Sequence, residues 1–259
     1  MLDQIIKNKL LEVEILKGEQ EHTISDVVKM NLPKNSFVES VRDKIKNGKN
    51  AIIAELKRCS PSKGYLDKKL DIKAMASLYE KSGAACISVL TDEKFFKGTK
   101  NDLMLAKNTC SLPILRKDFI IDESQVIESK VIGADCILLI IACLSRKKFK
   151  SLLDISKSLD LDVLVEVHDE EELDIALDFK CNMIGINNRN LKNFNVSIET
   201  SKVLRKKIMD NSIIVISESG IKDLKTIKNL NNSNIHAFLI GEGLITNDNP
   251  EFLLKKLVN

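Results

Sequence analysis

Charged and amide side chains stand at the ends of short apolar runs in this chain. In Ile52-Ile53-Ala54-Glu55-Leu56-Lys57-Arg58-Cys59-Ser60-Pro61, an extended backbone alternates its side chains, so Ile53, Glu55 and Lys57 share one face. If Ile53 points into a core, a carboxylate and an ammonium point in above it. Buried charges are costly unless they are paired or used. That leaves two readings, an internal salt bridge and an acid–base site. Similar polar ends follow in Leu115-Arg116-Lys117-Asp118-Phe119, in Val163-Leu164-Val165-Glu166-Val167-His168 and in Gly185-Ile186-Asn187-Asn188-Arg189-Asn190. Two more close the series, Ile216-Ser217-Glu218-Ser219-Gly220-Ile221 and Leu239-Ile240-Gly241-Glu242-Gly243. A structural excuse exists for each alone, but six at the same end of one sheet point to proton-transfer chemistry. Gly220 and Gly241, in the last two, leave room for backbone N–H groups to approach an anion, as a phosphate cradle requires.

Something must hold these ends together. The apolar runs are 51–56, 86–90, 113–115, 136–142, 161–167, 183–186, 213–216 and 237–240, near-continuous and rich in β-branched residues. Such runs suit parallel strands covered on both faces. Amphipathic segments alternate with them, for example 72–81, 124–132, 146–158, 170–179 and 197–207, with Gly83 and Gly133 where left-handed helix ends are expected. Eight strand–helix units and no sign of a strand-order reversal predict a closed (β/α)₈ barrel in preference to an open sheet. In such a barrel the active site lies at the carboxyl ends of the strands. Residues 1–48 read as an N-terminal helical extension, with helices near 2–16 and 37–47 joined by a polar stretch containing Pro33. Residues 1–259 are taken as one domain, and where the extension docks is left open.

Composition narrows the function classes. A net charge of +3 from 40 basic and 37 acidic residues, with 4% aromatics and no Trp, predicts no nucleic-acid partner. Six cysteines include no CxxC pair and read as reduced, buried thiols, while the three histidines are scattered, so neither metal nor cofactor is expected. The N-terminus mixes charge into its apolar positions and is not a signal peptide, and the longest apolar stretch (136–144) is too short for a bilayer. A cytoplasmic protein with no membrane contact is expected. No apolar stripe is left over, which predicts a monomer and leaves contact with a neighbouring pathway enzyme open.

The segments IIAELKRCSPSKG (52–64), SVLTDEKFFKGT (88–99), PILRKDFIID (113–122), DVLVEVHDEEEL (162–173), IGINNRNL (184–191), SESGI (217–221) and FLIGEGL (238–244) together resemble indole-3-glycerol phosphate synthase. They run in order along nearly the whole chain, and the N-terminal extension fits as well. The resemblance implies a TIM barrel that converts 1-(2-carboxyphenylamino)-1-deoxyribulose 5-phosphate to indole-3-glycerol phosphate, CO₂ and water in tryptophan biosynthesis. By the family pattern Lys117 is the general acid at the ketone, with Phe119 packed on the substrate. Lys57 meets the carboxylate that is lost or acts as acid in the dehydration, and Glu166 is the second acid/base group. Glu55 orients the amine and the lysines, and Asn187 and Ser219 hold ring and sugar hydroxyls. Arg189 pairs with Glu55 or the substrate, and Phe96 walls the aromatic pocket. Ser60 with Pro61, Gly220, Gly241 and the Glu242 amide match the phosphate-binding positions. Lysines away from water and near other cations have lowered pKa values, so the acid lysines are expected to be shifted down. The Glu242 carboxylate is expected to turn away from a phosphate. Two alternatives remain. One is phosphoribosylanthranilate isomerase, a neighbouring barrel family that would use a cysteine such as Cys59. The other is a silent barrel that serves as a scaffold.

Overall fold

A computed structural model describes residues 1–19, 21–191 and 194–259. Its eight parallel strands are β1 (Ala51–Leu56), β2 (Cys86–Leu90), β3 (Ile114–Lys117), β4 (Cys136–Ile140), β5 (Asp162–Val167), β6 (Met183–Asn187), β7 (Ile214–Glu218) and β8 (Ala237–Ile240). They close in chain order, with Ile53 beside Cys86 on one flank of β1 and Ala51 beside Ala237 on the other. The expected barrel is therefore present. Three strands run further than the apolar patterning shows, since β3, β6 and β7 extend through Lys117, Asn187 and Glu218. Polar residues there still pair their backbones along the ladder. β4 is shorter than its apolar run, because the chain turns into a 3₁₀ segment at Ile141–Cys143.

Period-two alternation divides the strands into two cores. Ile53, Leu115, Leu138, Leu164, Ile216 and Leu239 fill the barrel interior, whereas Ile52, Ile87, Val165, Ile184, Val215 and Phe238 face the surrounding helices. Helices start where a short polar side chain accepts a backbone N–H. Asp71, Asp122, Ser145, Asp169 and Asp223 each do this. Gly83 and Gly133 take positive φ just beyond their helices, as expected. A short two-stranded ribbon, Cys59–Ser60 with Gly64–Tyr65, sits above β1.

The N-terminal region contains one more helix than the pattern suggested. α1 (Leu2–Glu19), α2 (Ile24–Met30) and α3 (Phe37–Lys46) precede β1. α2 begins with a reciprocal cap between Thr23 and Asp26, inside the stretch read as a connection. α3 closes the amino-terminal end of the barrel, with Phe37, Val38 and Val41 in the interior core and Ser40 Oγ donating to the Ala85 carbonyl at 2.6 Å. α1 lies at the opposite end, where Lys9 Nζ stands 2.8 Å from Asp118 Oδ1 and 3.3 Å from Asp92 Oδ2. Among the described residues no helix is long and apolar enough to cross a membrane, and no group of three or more His, Cys, Asp or Glu is arranged to hold a metal. All six cysteines are free, and four are buried.

Candidate active site

The interior faces end in polar residues at the carboxyl ends of the strands. Glu55 and Lys57 continue the Ile53 face of β1, Lys117 the Leu115 face of β3, and Glu166 the Leu164 face of β5. Asn187 and Glu218 end β6 and β7. These side chains line one cavity of about 1100 Å³ that also reaches Ser60, Pro61, Phe96, Phe119, Arg189, Ser219, Gly220, Gly241 and Glu242. Every residue singled out from the sequence therefore borders a single space.

Its floor is a charge network. Lys57 Nζ donates to Glu55 Oε1 at 2.6 Å, and Lys117 Nζ donates to Glu166 Oε2 at 2.9 Å. Lys117 also lies 3.5 Å from Glu218 Oε2. Asn187 Nδ2 donates to Glu166 Oε1 at 3.1 Å, and Asn187 Oδ1 accepts from Ser219 Oγ at 2.9 Å. Burial favours the neutral amine of Lys117, but the carboxylates of Glu166, Glu218 and Glu55 outweigh it and hold the side chain protonated, above the ordinary lysine value. This corrects the expected downward shift, because the neighbours of Lys117 are anions rather than cations. Burial likewise favours protonated Glu166, yet Lys117 and His168 keep it below the usual carboxylate range. Glu218 goes the other way. Burial pushes it up to about 8 against the pull of Lys117, with Glu166 and Glu55 adding to the rise.

Glu218 was not singled out from the sequence, although a signal was present. Ile214, Ile216 and Glu218 share the interior face of β7, so alternation alone aims the carboxylate inward. His168 was also overlooked as a site neighbour. It is largely buried, with Nε2 3.2 Å from Glu166 Oε1 and Nδ1 3.0 Å from Glu172 Oε2. Arg189 contacts the Phe194 carbonyl at 3.4 Å, and among the described residues no ion pair joins it to Glu55.

The lining next to Glu55 and Lys57 suits an anion. Gly241 precedes the short helix Glu242–Ile245, and a Cβ there would come within 2.4 Å of Glu55 Oε1 and 3.1 Å of Lys57 Nζ. Only glycine lets these two side chains sit against the backbone. Gly220 has φ +80 and borders the same space, as does Ser60, whose buried Oγ has no hydrogen-bond partner. The Glu242 carboxylate is partly exposed and lies 3.8 Å from Lys63 Nζ, so its negative charge is directed to a lysine.

The remaining wall is apolar. Phe96 and Phe119 tilt toward each other with ring centroids 6.2 Å apart, and Leu2 and Ile5 of α1 border the same cavity. Phe96 is placed by Asp92, whose Oδ1 accepts from the amides of Phe95 and Phe96 at 2.8 and 3.3 Å. Phe119 follows Asp118, whose Oδ1 accepts its amide at 2.8 Å. Together these features line one pocket with two aromatic rings, a lysine held protonated among carboxylates, and glycines that leave the backbone open to an anion.

A family model described as indole-3-glycerol phosphate synthase matches residues 2–257. A relative of that name from Polaromonas naphthalenivorans is 49% identical over 221 residues, spanning 85% of this chain and 84% of its own length. Another, from a second Polaromonas, is 43% identical over 258 residues, or 99% of this chain and 97% of its own. One from Acinetobacter baylyi is 41% identical over 254 residues, with coverage of 97% and 92%. Among solved structures, 3-hexulose-6-phosphate synthase from Salmonella typhimurium superposes with a TM-score of 0.64 at 13% identity, covering 80% of this chain and 96% of its own. N-acetylmannosamine-6-phosphate 2-epimerase from Clostridium perfringens gives 0.60 at 16% identity, with coverage of 81% and 90%. At those identities the likeness concerns the fold alone.

Proposed function

Because the chain belongs to the indole-3-glycerol phosphate synthase family, its reaction is the decarboxylating ring closure of tryptophan biosynthesis, and we propose that Lys117 is the acid that starts it. The supporting observation is the Lys117 ammonium, held protonated by carboxylates in the middle of the cavity. The substrate's aromatic ring lies between Phe96 and Phe119, and its phosphate lies against the amides following Gly220 and Gly241, with Ser60 and Pro61 alongside. The side chain of Lys117 then donates to the ketone oxygen as the ring carbon attacks. Lys57 faces the carboxylate that leaves as CO₂, and Glu55, which holds Lys57, also orients the substrate amine. In the dehydration that follows, Glu166 takes up the proton released beside the nitrogen. Asn187 and Ser219 hold the hydroxyls, and Arg189 contacts the substrate. Charge that is already in place where it develops in the reaction is worth far more than the same charge in water.

The wider assignment rests on the same features. Residues 1–259 act as one domain, supported by Phe37 in the barrel core and Lys9 between two strand-end aspartates. The protein works in the cytoplasm as a monomer, which sedimentation at micromolar concentration would check.

The test of the reaction is optical. The chain contains no Trp, so indole fluorescence from product rises over a small protein background. We expect that rise with wild type, without added metal or nucleotide. It should vanish in Lys117→Ala while that variant still melts cooperatively. Turnover by Lys117→Ala at the wild-type rate would remove Lys117 from the acid role.

A further inference from the structure

Taken in its ionised form, the substrate loses CO₂ and water, so each turnover consumes one proton from solvent. Lys117 gives one proton to the ketone oxygen and Lys57 gives one to the departing hydroxyl, while only one returns, from the carbon beside the nitrogen to Glu166, so the site ends each turnover one proton short. Lys117 and Glu166 lie within a cavity roofed by α1, and after Lys117 has donated, its neutral amine must be recharged.

We propose that Glu172 and His168 form a side entrance by which solvent protons reach Glu166 and recharge Lys117. The assignment rests on the reading of Lys117 as the acid. Four groups stand in a row through the barrel wall. Glu172, on the helix Glu170–Asp178 just outside β5, is partly exposed, with 17% of its side chain accessible. Its Oε2 lies 3.0 Å from His168 Nδ1 and also accepts the His168 amide at 2.8 Å, which fixes the ring. His168 Nε2 is buried without an aligned hydrogen bond and lies 3.2 Å from Glu166 Oε1. The other oxygen of Glu166 accepts from Lys117 Nζ at 2.9 Å. Glu166 is thus flanked by an ammonium on the substrate side and an imidazole on the solvent side.

The direction of transfer follows from relative basicity. Burial opposes charge on His168, but Glu166 and Glu172 outweigh it and push the ring up to about 10, so it stores a proton at neutral pH. A deprotonated Lys117 is the stronger base and takes the proton through Glu166, which ends the step as the carboxylate it began. Neutral His168 is then reprotonated from solvent through Glu172. No electron pair moves between residues, and one proton enters per turnover, as the stoichiometry requires. The other groups facing this row do not divert it. Cys143, on the adjacent 3₁₀ segment, is pushed up to about 12 by burial first and then by Glu166 and Glu172, and stays a thiol. Asn187 only donates to Glu166, while Glu218, which faces both Lys117 and Glu166, is pushed up to about 8 by burial against the pull of Lys117, and any proton it gives up must be replaced through the same row.

The experiment compares the first turnover with the steady state in His168→Ala, using enzyme in excess and then substrate in excess. The resting enzyme carries a charged Lys117, so the first turnover should stay within about threefold of wild type while the steady-state rate falls about tenfold or more. Added imidazole at constant pH should restore the steady state, and a bulky buffer of the same pKa should not. Glu172→Gln, changed on the solvent side, should show the same split and carries the test if His168→Ala folds poorly. The proposal is overturned if first and later turnovers fall by the same factor, if imidazole has no effect, or if the steady state is unchanged. Ring closure in the first turnover of Lys117→Met would instead sink the acid assignment alone, which keeps the two failures apart.

Discussion

Lys9→Met should release α1 from the barrel mouth without unfolding the barrel. Lys9 is 2% exposed, and its Nζ meets Asp118 at 2.8 Å, Asp92 at 3.3 Å and Glu12 at 2.5 Å. Burial opposes its charge, yet these carboxylates outweigh it and raise the side chain above the ordinary lysine value. Removing one partner of a buried pair costs about 3–5 kcal/mol. The lower end applies here, because Asp118 keeps Thr91 at 2.5 Å and Arg116 at 3.4 Å, while Asp92 keeps two backbone amides. The buried apolar part of the α1 anchor is Ile5 and Val13, each worth about 1.5–3 kcal/mol. A loss of about 3 kcal/mol therefore leaves the helix marginally docked and raises its detached population by about 100-fold. Hydrogen exchange should show α1 amides losing protection by that factor while the barrel strands keep theirs. The same lysine ties Asp92, which caps the turn carrying Phe96, to Asp118, which precedes Phe119. KM should consequently rise more than kcat falls, and Lys9→Arg should recover most of it. Unchanged α1 protection and KM would refute the reasoning. A more stable Lys9→Met would show that desolvation of the lysine outweighs its pairing.

Three further outcomes can be checked with the same protein. Gly241→Ala forces a Cβ into Glu55 and Lys57, and should lower kcat/KM by about tenfold or more while costing about 1–3 kcal/mol in a urea melt. Asp118 is opposed by burial, but Lys9 and Arg116 bring it down to about 2 from its usual 3.8. A depressed carboxylate stabilises the fold above its unfolded value and loses that contribution as pH falls through the folded one. The stability gap between wild type and Asp118→Asn should therefore narrow by about 2 kcal/mol between pH 4 and pH 2. Glu218 has the opposite sign, because its raised value makes ionisation costly in the folded state. That cost is absent below the unfolded value of 4.5 and complete above about 8, so Glu218→Gln should gain stability relative to wild type from pH 5 to pH 9. A pH-independent difference in Tm would refute it.

Much of the site is written in short-range pattern. Strand alternation carries Ile53 into Glu55 and Lys57, Leu115 into Lys117, and Leu164 into Glu166, because successive side chains of an extended chain must take opposite faces. Glycines at 220 and 241 announce a close backbone approach for a similarly local reason. Glu218 obeys the same alternation, and could have been read from Ile214 and Ile216 once β7 was extended by two residues. Those local rules set the barrel, the inward carboxylates and lysines, and the glycine cradle from the amino-acid sequence alone. Which charges meet across the barrel was decided only in three dimensions. Lys117 and Glu166 are 49 residues apart, and Lys9 and Asp118 more than twice that, so no spacing along the chain predicts either pairing. The upward shift of Lys117, the proton stored on His168 and the placement of α1 over the mouth all follow from those encounters. Electrostatic energy depends on distance and burial in the folded molecule, and neither is defined until the strands have closed.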